Sequence, residues 1–309
     1  MDELGGGVLV ACWRDPSAEV DDSLLPLAER FAGHVAVALS EAGKREALAE
    51  VSLLHGRLEA SLLPRLPRAH GSLTIAARYL PAEQRMMIGG DFVDVFQYED
   101  GRLGLVIGDV TGHGPDAAAL GATLRAGWRA LLVAGLEGHE VLTALEGLLQ
   151  RERSSDDMLA TVCLAWLNPR LGEVCFANAG HLPPLLVSHD SAASFVELPS
   201  HLPLGTGLAE AEGLAEATHT LPEHWGLLFY TDGLVEGRLR GTQSRFGLER
   251  LANLLGENGG PDLGTEAVDR VVGTVRRMTA APLADDVALV AVSNHAADAA
   301  KQAPADSNG

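Results

Sequence analysis

LGLVIGDVTGHGPDAAAL, residues 103–120, decides how the chain is read. An apolar run reaches a single carboxylate, Asp109, and turns at once through Gly112-His113-Gly114 into Pro115 and an alanine-rich segment. The apolar run reads as a buried strand, and Pro115 suits the first turn of a helix, where its missing amide donor costs nothing. A lone charge at the end of a buried strand is expensive unless partners meet it. Three other places repeat the arrangement: Asp91 after Gly89-Gly90, Asp232 before Gly233, and the pair Asp285-Asp286 before VALVAV. Each alone reads as a turn or a cap. Together, each beside an apolar run, they point to one shared site, where carboxylates stay ionised only if a cation lies among them. Hard oxygen donors suit magnesium or manganese.

Outward from that stretch the pattern is one of short strands and paired helices. LTIAARYL (73–80), DFVDVFQY (91–98), ATVCLAWL (160–167), EVCFANAG (173–180), LLVS (185–188), GLLFYTDG (226–233) and DVALVAVS (286–293) read as strands. Helices are expected over 115–133, 140–152, 248–255 and 265–278. Hairpin-linked strands with helices added in pairs imply an α+β fold of antiparallel sheets covered by helices. Before them, GVLVACW (7–13) reads as a strand and 23–63 as a long helical pattern. Leu48, Val51, Leu54, Leu58 and Leu62 form a seam in it suited to a second copy, and Pro64 and Pro67 end it. The tail 296–309 reads as unstructured.

With 309 residues the chain is long enough for one large domain and a smaller piece. Its 23 basic and 42 acidic residues leave a net charge of −19, which repels phosphate backbones and anionic lipid; nucleic acid and membrane are not expected partners. Three cysteines without a CxxC pair indicate neither a disulfide scaffold nor a zinc ribbon, and no long apolar run or basic leader is present, so a cytoplasmic location is expected. GxxxxGK[ST] and GxSxG are absent, which leaves nucleotide-driven and esterase chemistry without a motif.

IGGDFVDVF, IGDVTGHGPDAAAL, ANAGHLPP, LLFYTDGLVE and ADDVALVAV, in this order, resemble the SpoIIE-type bacterial branch of the metal-dependent PPM (type 2C) serine/threonine phosphatases. The resemblance implies a four-layer α/β/β/α sandwich with two manganese or magnesium ions at one end. By it, Asp109 bridges both ions, the Val110 carbonyl serves the second, Asp232 holds the first, and Asp285 is the last metal acid with Asp286 supporting it. Asp91 reaches a metal through water. It implies hydrolysis of phosphoserine or phosphothreonine by water activated between two metals, on an anti-anti-sigma (STAS) phosphoprotein of a partner-switching pathway. His113 has two readings, a proton donor to the leaving seryl oxygen or a residue fixing its own turn. Thr161, Asn178 and His181 read as structural, and Arg78 and Arg85 as surface arginines. Residues 1–45 resemble the end of a GAF sensor domain, 46–67 a linker helix that pairs with its copy in a homodimer, and 68–294 the phosphatase domain, with 295–309 a disordered tail. The alternatives are a PPM-fold interaction module of weakened turnover and a metal phosphodiesterase. The retained acids argue against the first, and the lack of clustered histidines against the second.

Overall fold

The computed structural model describes residues 26, 29–45, 67, 69–80, 89–188, 191–199, 201–207, 215–257, 260–280 and 285–294. The expected strand 7–13, the linker 46–66, Arg85 and the tail lie outside them. The chain divides into two compact units, Met1–Leu58 and Glu59–Gly309. In the first, residues 29–45 form helix α1, with Phe31, Val35 and Leu39 exposed at four-residue spacing.

The second unit runs β1 (Ala69–His70), β2 (Leu73–Leu80), β3 (Phe92–Gln97), β4 (Leu103–Val110), α2 (Pro115–Val133), α3 (His139–Glu152), β5 (Ala160–Asn168), β6 (Glu173–Ala179), β7 (Leu185–Ser188), β8 (Ser191–Phe195), β9 (Glu216–Thr220), β10 (Trp225–Tyr230), α4 (Gly233–Glu236), α5 (Leu248–Glu257), α6 (Thr265–Met278) and β11 (Val287–Asn294). One sheet has the order β1-β2-β11-β10-β7-β8 and the other β3-β4-β5-β6-β9, and every named strand pair is antiparallel. The expected strand at 226–233 stops at Tyr230, because the chain turns at Thr231 into α4.

Three apolar layers explain the stacking. Leu105, Ile107, Cys163, Phe176, Phe229 and Val290 fill the space between the sheets. On one outer side Leu124 and Trp128 of α2 and Leu142 and Leu145 of α3 meet Val106 and Leu164; on the other, Leu251 of α5 and Val271 of α6 meet Leu228 and Leu289. A strand shows alternate residues to opposite faces, so β4 and β11 each feed two of these layers. The result is the expected α/β/β/α order. Asp94 breaks the apolar pattern on the α2 side: fully buried, it accepts from Arg129 Nε at 2.9 Å, from Arg125 at 3.4 Å and from the Val95 N–H at 2.8 Å, tying α2 to β3. No helix among the described residues is long and apolar enough to cross a membrane.

Candidate metal centre

The alternation that builds the inter-sheet layer also delivers the acids. In β4 Leu103, Leu105 and Ile107 point between the sheets, and Asp109 is the next position on that face. Val93 and Val95 of β3 are preceded on the same parity by Asp91, and Ala288, Val290 and Val292 of β11 by Asp286. Leu227 and Phe229 of β10 are followed by Thr231. Four strands thus run out of apolar residues and continue in polar ones on the face they share.

These side chains are tied together. Thr231 Oγ1 donates to Asp91 Oδ2 at 2.7 Å, and the Ala288 N–H donates to the same oxygen at 3.1 Å. Ala288 N–H also reaches Thr231 Oγ1 at 2.9 Å, so Asp91 is held by both β10 and β11. Asp286 is 4% exposed, and its N–H donates to Asp285 Oδ1 at 2.9 Å. Asp285 itself is exposed, while Asp91, Asp109 and Asp232 are half-buried.

Charge accumulates faster than it is cancelled. Burial, then the charge of Asp232, and after it those of Asp285 and Asp286, push the Asp109 carboxyl up to about 7, although a hydrogen bond with Asp91 pulls the other way. Burial and the Asp109 charge hold Asp91 well above the usual carboxylate range, against the Thr231 hydrogen bond. Burial, Glu236 and Asp285 raise Asp232, opposed by the Gly233 N–H and by Arg245. Asp285 therefore acts on Asp109 and Asp232, and Asp286 on Asp109 and Asp91.

Two glycines make the approach feasible. A Cβ on Gly89 would lie 1.2 Å from Asp286 Oδ2, and one on Gly90 would lie 2.4 Å from the Val110 carbonyl oxygen. The β3 lead-in can pass this close only without side chains. Gly89 also bridges to His113, which sets the exposed Gly112-His113 part of the turn beside this lead-in.

The other singled-out residues fall nearby or elsewhere. Thr161 stands opposite Asp109 in the β4–β5 register and its Oγ1 lies 2.9 Å from His181 Nδ1. His181 is buried, and burial lowers its pKa to about 4; its Nε2 and Asn178 Oδ1 find no partner among the described residues. Arg78 is occupied by Asp269, at 2.6 and 2.7 Å. Thr231, Glu236 and Arg245 were not singled out from sequence. Thr231 was recoverable, since it follows Phe229 on the inter-sheet parity. Among the described residues, no three His, Cys, Asp or Glu side chains form a ready-made metal cage. The acids are close enough to perturb one another without closing around a point.

A sandwich of two antiparallel sheets between helix layers is the fold of PP2C phosphatase domains, and the family model "Stage II sporulation protein E (SpoIIE)" matches residues 99–295. The chain belongs to the SpoIIE family. It is similar to the phosphoserine phosphatase RsbP of Bacillus subtilis (strain 168), 27% identical over 152 residues, 48% of this chain and 37% of that protein. It is similar to the crystal structure of the RsbU and RsbW domains of Rv1364c from Mycobacterium tuberculosis, with 34% identity and a TM-score of 0.63 over 75% of this chain and 62% of that one. The SiaA-PP2C domain of Pseudomonas aeruginosa shares the fold at 18% identity, with a TM-score of 0.67 over 81% of this chain and 98% of that one. The chain thus spans less than two thirds of the first two relatives.

Proposed function

We propose that the chain hydrolyses phosphoserine or phosphothreonine on a protein, with two divalent cations, manganese or magnesium, held by the strand-end acids. One observation carries this reading: Asp91, Asp109 and Asp232 are all raised by burial and neighbouring acids, a conflict that bound cations would relieve. The donors are all oxygens, as hard ions require, and magnesium keeps several waters beside its carboxylate ligands. Acids that are near one another without forming a closed cage fit that demand. Asp109 would be shared by both ions, the Val110 carbonyl would serve the second, and Asp232 and Asp285 would hold the first. Asp286 would support Asp285, and Asp91, fixed by Thr231 and Ala288, would act through water.

Bound cations would supply positive charge to the dianionic ester and bring the pKa of water towards neutrality. The chain's own residues then orient and shield: the Gly89-Gly90 passage leaves room beside Asp286 and Val110, and His113, on the exposed turn bridged to Gly89, would give a proton to the departing seryl oxygen. RsbP's name as a phosphoserine phosphatase supports the substrate class. The resemblance adds the finer identity, a STAS-domain anti-anti-sigma phosphoprotein. It likewise assigns 1–45 to the end of a GAF-like domain, 46–67 to a linker helix that pairs in a homodimer, and 68–294 to catalysis; sedimentation at tens of micromolar tests the pairing.

The decisive assay measures phosphate released from a phosphoserine protein with manganese, with magnesium and with chelator. Release that needs the metal is expected. No release with either metal, together with tight binding of the phosphoprotein, would favour a non-catalytic interaction module.

A further inference from the structure

A cationic ribbon borders the acid cluster. Residues 237–247, GRLRGTQSRFG, hold three arginines and no acid in a chain of net charge −19. The segment folds back on itself: Leu239 N–H donates to the Ser244 carbonyl at 2.9 Å, Phe246 N–H to the Gly237 carbonyl at 2.8 Å, and Arg238 stands opposite Arg245. It then joins the chain leaving α6. Arg240 N–H donates to the Met278 carbonyl at 2.9 Å, Ala280 N–H to the Arg238 carbonyl at 2.7 Å, and Arg240 Nε to the Thr279 carbonyl at 2.8 Å. Those bonds set the ribbon beside Arg276 and Arg277 in the last turn of α6.

The ribbon is fixed relative to the acids as well. Glu236 N–H donates to the Asp232 carbonyl at 2.9 Å, and one helical turn after Asp232 the Glu236 side chain accepts from Arg245. The Met278–Ala280 side leads on to Asp285. Among the described residues Arg238 donates to Gln243 and Arg240 to a backbone carbonyl, so neither charge is cancelled by a bonded acid. Arg238, Arg245, Arg276 and Arg277 are exposed. A positive patch tied to the turn that carries Asp232 has a plain electrostatic consequence. An acidic chain repels an acidic partner at long range, and a local patch of opposite sign restores attraction and sets the register in which the partner lands.

We propose that residues 237–247 and the end of α6 form the docking surface for an acidic segment flanking the phosphorylated residue of the protein substrate, an inference that rests on the phosphatase reading above. The test uses the full chain with manganese present and fluorescein-labelled peptides carrying a phosphonate analogue of phosphoserine, which cannot be hydrolysed. Anisotropy is expected to give roughly tenfold tighter binding for Asp/Glu flanks than for Asn/Gln flanks, the sum of a few exposed charge pairs, with the gap narrowing as salt rises. Arg238→Glu with Arg277→Glu is expected to abolish the gap, and Arg238→Gln with Arg277→Gln to reduce it without adding repulsion. Equal affinity for both peptides overturns the proposal, as does a gap that survives both double variants or tighter binding of a single-stranded oligonucleotide. Manganese-dependent phosphate release from the corresponding phosphoserine peptides tests the phosphatase reading on its own: turnover without a binding gap removes only the docking surface, and a gap without turnover removes the phosphatase reading and with it the substrate role of this surface.

Discussion

Replacing Gly89 by alanine tests the site through a residue that has no side chain to offer a metal. The added Cβ would fall 1.2 Å from Asp286 Oδ2 and 2.3 Å from its Cγ, so the carboxylate must leave its place. The nearest atoms belong to a side chain, which can rotate; overpacking of this kind costs about 1–3 kcal/mol, and Tm falls by roughly 2–4 °C for each kcal/mol in a chain of this size. Loss of a carboxylate that supports a metal ligand costs about 10- to 100-fold in metal affinity or activity. In a manganese titration of phosphate release, Gly89→Ala is therefore expected to raise the half-saturating metal at least about tenfold while the protein remains folded. Gly233→Ala sharpens the comparison, since its Cβ would meet the Asp286 backbone oxygen at 1.9 Å, which cannot step aside, and a larger loss of stability is expected. An unchanged manganese requirement in folded Gly89→Ala would refute the role of Asp286 in supporting the metal ligand Asp285.

Asp94→Ala removes the buried acid that pairs with Arg125 and Arg129, and urea unfolding is expected to show a loss of about 3 kcal/mol; under 1 kcal/mol would mean that the pair does not anchor α2. The folded pKa of His181, about 4, lies below the ordinary 6.5, so its contribution is complete above pH 6.5 and is lost as pH falls towards 4, by up to about 3 kcal/mol. Asp109 and Asp232 run the opposite way, being raised, so the difference between wild type and His181→Gln isolates the imidazole; parallel stability curves from pH 7 to 4 would discard this role. Manganese at 100 times its Kd is expected to stabilise the fold by about 2.7 kcal/mol, read as a rise in Tm that Asp109→Asn removes; an equal rise in that variant would place the ions elsewhere.

Much of this was legible because strand alternation and acid position are the same signal. LGLVIGD names an inter-sheet face by its odd positions, and Asp109 falls on that face; Pro115 marks the start of α2 at the residue where the helix begins. The β9 strand, Glu216–Thr220, escaped because its edge position leaves alternate residues exposed, so EATHT carries no apolar run. The four residues of α4 are too few for any helical period. Asp94 was opaque for a different reason. Its position in FVDVF reads as a solvent face, and only the tertiary approach of Arg129 from α2 makes burial tolerable. The pairing of Thr231 with Asp91 crosses 140 residues of sequence, and no local pattern encodes such a contact.

The proposed gathering of divalent cations by the strand-end acids has a direct test. Crystals soaked in manganese and measured for anomalous scattering address it without any assay of turnover. Two peaks are expected, both beside Asp109, one also beside Asp232 and Asp285 and the other beside the Val110 carbonyl. Well-diffracting crystals with no anomalous peak at Asp109, or with manganese bound only away from these acids, would contradict it.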